Sequence, residues 1–337
     1  MADQRNGGIV WTDATWNLIR GCSRVSEGCR NCYAERMAAR FCSQPGMPYH
    51  GLVESSTGRW TGHVRLVPEQ LETPLTWRRP RRVFVNSMSD LFHEDLPFDR
   101  IDQVFGIMAA CPQHTFQILT KRPERMRDYL AQDRREEWAY AGSYGNDLLF
   151  DQIDLGPRAL PNVWVGVSVE NQETADKRIP FLLETLAAVR WLSCEPLLGP
   201  VDLSREILSD RCGGSYPFPF LPEDCRTHRI DQLDWVVVGG ESGPGARPMH
   251  PDWARGLRDQ CSAAGVPFLF KQWGEWAPAM GDLWWHPLEG GPQFRTRAGS
   301  MGTHAFGDGY GAVRIGKKAA GRSLDGQVHD GYPVVTP

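Results

Sequence analysis

Arg82-Val83-Phe84-Val85-Asn86, then Ile101, Val104, Phe105 and Met108 at helical spacing within 98–111, then Thr115-Phe116-Gln117-Ile118-Leu119: this run decides the fold. A short apolar run, a helix-period segment and a second apolar run make one βαβ unit, because parallel strands need a crossover long enough to hold a helix. The rhythm continues downstream. Residues 123–130 have helical spacing, Val163-Trp164-Val165-Gly166-Val167 is a strand, 174–189 is a helix, and Arg190-Trp191-Leu192-Ser193 is a short strand. Trp235-Val236-Val237-Val238 is the strongest strand, 252–264 is helical, and Pro267-Phe268-Leu269-Phe270 is the last clear strand. Upstream, Gly8-Ile9-Val10-Trp11 and Ala14-Thr15-Trp16-Asn17 supply the first.

About seven βα repeats come near the number that closes a barrel. The expected fold is therefore α/β: a (β/α) barrel, partial or irregular and TIM-type. A doubly wound open sheet is the alternative, but the first turn has no G-x-G-x-x-G fingerprint. The expected barrel domain covers 1–273, with insertions near 42–62, 133–161 and 204–231; a Gly-rich extension, 274–337, packs on it. Within the first insertion's approach, 33–41 reads as a helix with Ala34, Met37, Ala38 and Phe41 on one face.

Net charge is −4 over 337 residues, so no global basic field demands a polyanion. The start, Met1-Ala2-Asp3-Gln4-Arg5-Asn6, is polar, and no eighteen-residue apolar run occurs, which predicts a cytoplasmic chain with no membrane partner. Nine cysteines, three of them clustered, fit a reducing compartment better than a disulfide framework. Thirteen tryptophans suit a tightly packed pocket or stacking surfaces, and the count decides neither.

In a parallel barrel, functional groups gather where strands end. The first strand leads to Cys22, Cys29 and Cys32, and the second ends in Asn86-Ser87-Met88-Ser89-Asp90. Later ends carry Lys121 and Arg122, then Ser168 and Glu170, then Glu195, Glu241 and Lys271. Singly, each reads as a helix cap, a tight turn or a solvated charge. Jointly they converge on one mouth.

The cysteines have C-x6-C-x2-C spacing, and three chemistries compete for them. A structural zinc site needs a fourth ligand, for which Cys42, His50 and His63 are the nearest candidates. A redox dithiol would use Cys29 and Cys32 and leave Cys22 unexplained. A [4Fe–4S] cluster on three thiolates would leave one iron open.

Trp11-Thr12-Asp13-Ala14-Thr15-Trp16-Asn17 with Gly21-Cys22, Gly28-Cys29 and Cys32-Tyr33-Ala34-Glu35 resembles the phage Gp37/Gp68 family, which is related to radical S-adenosylmethionine enzymes. Matching stretches include 83–93, Leu119-Thr120-Lys121-Arg122-Pro123, Gly166-Val167-Ser168-Val169-Glu170, Ser193-Cys194-Glu195-Pro196, Gly239-Gly240-Glu241-Ser242-Gly243 and the tail 316–322. The resemblance implies that Cys22, Cys29 and Cys32 hold a [4Fe–4S] cluster whose open iron chelates S-adenosylmethionine. An external electron donor then drives formation of a 5′-deoxyadenosyl radical. The first cysteine gap is longer than the superfamily's usual three, Tyr33 follows the third cysteine instead of preceding it, and 86–90 replaces a Gly-Gly-Glu motif. On this reading Ser87 and Asp90 accept from the cofactor's ammonium, and Ser168 and Glu170 hold its ribose. Lys121 or Arg122 pairs with its carboxylate or with a substrate phosphate. Glu195, Glu241 and Lys271 serve the substrate or its protons.

Basic residues at 77–82 and at Lys317, Lys318 and Arg322 would suit a nucleic acid, although Arg82 opens a strand and so lies away from the mouth. Lys121, Arg122 and Arg125 are better placed for phosphate. The expectation is a radical enzyme acting on a nucleic acid or nucleotide, in modification or repair. The alternative is a non-catalytic, zinc- or cluster-stabilised nucleic-acid-binding barrel.

Overall fold

Seven parallel strands lie side by side in chain order: β1 Ala14–Trp16, β2 Arg82–Val85, β3 Thr115–Thr120, β4 Val163–Ser168, β5 Val189–Cys194, β6 Trp235–Gly239 and β7 Phe268–Gln272. The structure is a computed structural model; it describes residues 9–143, 147–204, 230–280 and 302–334, with the backbone of a two-strand ribbon at 207–208 and 227–228. The strand order never reverses, so the sheet has no switch point and the doubly wound alternative is excluded. The sheet curls into a half-barrel flanked by helices. Among the described residues no ladder joins β1 to β7.

Period-two alternation explains the curl's two faces. Val83, Val85, Phe116, Ile118, Val165 and Leu192 point outward into the large core under the helices. Phe84, Trp164, Trp191, Trp235 and Leu269 point inward, where Trp11 joins them. Trp11 meets Phe84 at 4.8 Å and Trp191 at 5.2 Å, and Trp191 meets Trp235 at 5.3 Å. These rings fill the floor of the half-barrel. Much of the tryptophan count is thus packing, and any open site must lie above it, at the C-terminal strand ends.

The helices follow as expected, with instructive exceptions. α1 is Tyr33–Ala38, finished by a 3-10 turn to Phe41; Ala34 and Ala38 are buried as expected, but Phe41 is exposed and Glu35 is buried as well. Glu35 can be buried because Arg24 and the Trp60 N–H occupy its carboxylate. After α2 (Phe98–Ala110) and α3 (Pro123–Leu130), the expected irregular excursion at 133–161 contains two helices, α4 Arg135–Ser143 and α5 Asp147–Asp154. Gly142 of α4 sits against the Gly106 backbone of α2, so two glycines that lower helix propensity are what let the helices touch. Next come α6 (Gln172–Glu184) and α7 (Pro251–Ala264). Of the insertion expected at 204–231, Cys212 to Cys225 lies outside the described residues.

The Gly-rich tail has structure of its own. Strands β8 Trp276–Met280, β9 Thr303–Ala305 and β10 Tyr310–Arg314 form an antiparallel sheet in the order β8-β10-β9. The chain then runs beneath the barrel, where Gly331 N–H donates to Phe268 O at 2.9 Å and covers the edge of β7. Tyr332 stacks on Trp235 at 5.1 Å, and Trp235 Nε1 donates to Gly331 O at 2.7 Å. Among the described residues no helix is long and apolar enough to cross a membrane.

Gly166 of β4 makes room for the floor: a Cβ there would meet the Trp191 ring at 2.5 Å. Gly166→Val should therefore cost about 1–3 kcal/mol through overpacking. Urea unfolding followed by tryptophan fluorescence would show it as an earlier midpoint with an unchanged slope.

Candidate functional site

The chain leaves β1 with no room for its own core. From Cys22 to Cys32 no residue falls in the buried class, and a single 3-10 turn, Glu27–Cys29, is the only regular structure. Ordering such a segment requires partners from outside it. They come from the ends of β3, β4 and β6.

From β3, Arg122 donates through Nη2 to Ser23 Oγ at 2.6 Å, one residue after Cys22. The same guanidinium pairs with Asp90 at 3.0 Å and Glu94 at 2.7 Å, and His93 Nε2 lies 3.0 Å from Ser23 Oγ. Asp90 accepts four times: from Thr120 Oγ1 at 2.7 Å, Phe92 N at 3.0 Å, Lys121 N at 3.1 Å and Arg122 Nη1 at 3.0 Å. Its oxygens are filled by protein donors.

From β4, Glu170 reaches the middle of the loop. A capping box at the start of α6 aims it: Thr174 Oγ1 accepts from the N–H groups of both Glu170 and Asn171. Glu170 Oε1 accepts from Ser26 Oγ at 3.0 Å and lies 3.3 Å from Lys121 Nζ, while Oε2 lies 2.9 Å from Arg178 Nη1. The carboxylate occupies the space a side chain at Gly28 would need, which is why glycine precedes Cys29. Burial pushes the Glu170 carboxyl up, but Lys121 and Arg178 together outweigh it and hold it below its usual range.

From β6, Glu241 takes Arg247 in a two-oxygen pair, Nη2 to Oε1 at 2.8 Å and Nε to Oε2 at 2.9 Å. Asn31 Nδ2 donates to Glu241 Oε2 at 3.0 Å, and Arg247 Nη2 donates to Glu27 O at 2.9 Å. This third clamp grips the loop on both sides of Cys29.

Held in this way, Cys22, Cys29 and Cys32 line one cavity of about 180 Å³. Ser87, Asp90, Lys121, Arg122 and Ser168 line it too, so eight of the residues expected at the site share one wall. Glu170 backs that wall through Gly28. Glu195, Glu241 and Lys271 do not line it. Glu195 instead pairs with Lys271 at 2.6 Å and accepts from Gln272 Nε2 at 3.0 Å, forming a second polar cluster on the mouth. Lys317 of the tail joins that cluster; burial, then the Lys271 charge, lowers its pKa.

The donor chemistry fits a cationic metal group in part. Burial, reinforced by Asp90, pushes the Cys22 thiol up to about 12, and burial also raises Cys32, so these two sulfurs keep their protons until a cation compensates them. Asn86 Nδ2 and Ser89 Oγ, both on residues of the cavity wall, are buried with no hydrogen-bond partner. Among the described residues no group of three or more His, Cys, Asp or Glu side chains already stands in metal-holding geometry. The fourth-ligand candidates are engaged elsewhere: Cys42 Sγ contacts Ala39 O at 3.3 Å, His50 Nδ1 lies 3.2 Å from Cys42 O, and exposed His63 faces Asp95 at 3.8 Å.

Sequence reasoning missed Ser23, Ser26, Asn31, Arg178 and Arg247. Only Arg178 left a signal, a charge on the apolar Ala175, Ile179, Leu182 face of α6. Glu170→Ala leaves Arg178 buried without its carboxylate, an expected loss of about 3–5 kcal/mol in chemical unfolding. Glu170→Gln supplies the sign test. Because the folded carboxyl is lowered, its stabilisation is complete above the unfolded value of about 4.3 and is lost as pH falls through the folded one. Wild-type stability should therefore drop below about pH 4 more steeply than that of the Gln variant.

No curated protein and no solved structure matches the chain. A family model described as "Protein of unknown function (DUF5131)" matches residues 6–333. The chain belongs to the DUF5131 family.

Proposed function

We propose that this chain is a radical S-adenosylmethionine-type iron–sulfur enzyme on a partial TIM-type barrel, as its resemblance to the phage Gp37/Gp68 family implies, acting on a nucleic acid or nucleotide. One observation carries the reading: three cysteines on one loop line a single cavity at the C-terminal ends of a curled parallel sheet, and Cys42, His50 and His63 are turned to other partners. Cys22, Cys29 and Cys32 would hold a [4Fe–4S] cluster. Such a cluster, reduced by an external donor, supplies the electron for cleaving S-adenosylmethionine.

The chain's own residues take defined parts. Ser87, whose hydroxyl donates to Asn17 Oδ1 at 3.0 Å, and Ser168 offer polar atoms to the cofactor's amino acid and ribose groups. Lys121 offers a positive charge at the cavity while also serving Glu170. Asp90, Arg122, Glu170 and Glu241 act through the loop as positioning residues. Glu195 and Lys271, across the mouth, are left to the substrate.

The zinc-stabilised alternative needs a fourth protein ligand, and the geometry of its three candidates weighs against it. Anaerobic purification separates the readings. The expected protein is brown, with about four irons per chain, and loses its colour in Cys29→Ala. Reductant and S-adenosylmethionine should then yield 5′-deoxyadenosine. A colourless protein with one zinc, or a clustered protein that never forms that product, overturns the proposal.

A further inference from the structure

The basic residues singled out at 77–82 sit at the start of β2, the opposite end of the sheet from the cavity. Those beside the cavity, Lys121 and Arg122, are committed to Glu170, Asp90 and Glu94. Another source of positive charge adjoins the site. Residues 20–65 hold seven arginines and no lysine against three glutamates, in a chain of net charge −4.

This segment wraps from the cysteine loop into a cap with a small core of its own, Ala38, Cys42 and Val53, against which Tyr49 and Trp60 pack. The cap belongs to the cavity's rim: Trp60 lines the cavity, and its N–H donates to Glu35 of α1 at 2.9 Å. Two of the three glutamates are engaged, Glu35 by Arg24 and Glu27 by Arg247. Arg40 and Arg59 are exposed and have no carboxylate partner among the described residues. Arg30 is 67% exposed, 3.9 Å from Glu27, and Arg65 gives Nη2 to the Pro48 carbonyl. The same segment carries an aromatic ring that the core does not use. Tyr33, next to Cys32, is 61% exposed.

We propose that this cap is a binding lip for single-stranded nucleic acid, with Arg30, Arg40, Arg59 and Arg65 along the phosphates and Tyr33 as the platform on which one base stacks at the cavity's entrance. Exposed arginines on the segment that also carries an exposed ring are the combination that a flexible strand with free base faces requires. A duplex hides those faces, and an acidic polypeptide has none. The inference deepens the reading above by naming the polymer and the surface it lies on.

Fluorescence anisotropy with labelled 20-nucleotide single-stranded DNA and RNA tests it, with duplex DNA and polyglutamate as competitors. Single strands should bind with a log–log salt slope of about −3, as expected for four phosphate contacts. Arg40→Glu combined with Arg59→Glu should weaken binding at least tenfold and flatten the slope, and Tyr33→Ala should cost about tenfold. Arg78→Glu combined with Arg79→Glu should change neither. All variants alter exposed positions, so melting curves matching wild type confirm folding. The stronger of the DNA and RNA arms names the sugar. No single-strand binding at low salt, equal competition by polyglutamate, or loss only in the Arg78/Arg79 variant would overturn the lip. Binding needs no cluster, so a failed lip leaves the deoxyadenosine assay standing, and a failed assay leaves the lip measurable.

Discussion

From Cys22 to Cys32 the chain buries too little to order itself, so its conformation is set by charged groups that arrive from three distant strand ends. Arg122, Glu170 and the Glu241–Arg247 pair each reach a different point on the loop, and each is itself held by a second partner. A lone ion pair at a surface contributes little, but these are largely buried and cross-braced, and removing one member strands another charge. The curled sheet matters because it brings the ends of β3, β4 and β6 around one loop. The tryptophan floor matters because it keeps that mouth from collapsing into the barrel.

This arrangement divides the polar residues at the mouth into two groups. Some spend their hydrogen-bonding capacity on the loop and have none to offer a ligand; Asp90, with four protein donors, is the clearest. Others, such as Ser87 and Ser168, touch the cavity with capacity in reserve. A second cluster around Glu195, Lys271 and Lys317 stands on the other side of the mouth. A cofactor on the cysteine side and a substrate on the lysine side would meet across the opening.

The seven strands were legible because each is an apolar run bounded by a turn and followed by helical periodicity. The cysteine loop was legible from spacing, and the strand-end residues from the rule that parallel sheets work at one end. Their individual duties were not. Ser26 and Glu170 are 144 residues apart, and Glu27 and Arg247 are 220 apart; no local period encodes such pairings. The expected insertion at 133–161 proved to hold two helices, and Gly142, unremarkable in the sequence, is where the first of them crosses α2. Phe41 misled by being apolar on a helix that ends before it.

The segment beneath the barrel has a bearing on how the molecule is made. Tyr332 lies against Val10, 322 residues away in sequence, and shares the indole of Trp235. The base of the barrel is therefore closed by one of the longest-range contacts a chain of this size can form, and such contacts are entropically the last to be made. A nascent chain still short of Tyr332 would lack the ring that stacks on Trp235. Closure of the barrel's base therefore waits on the segment that carries Tyr332.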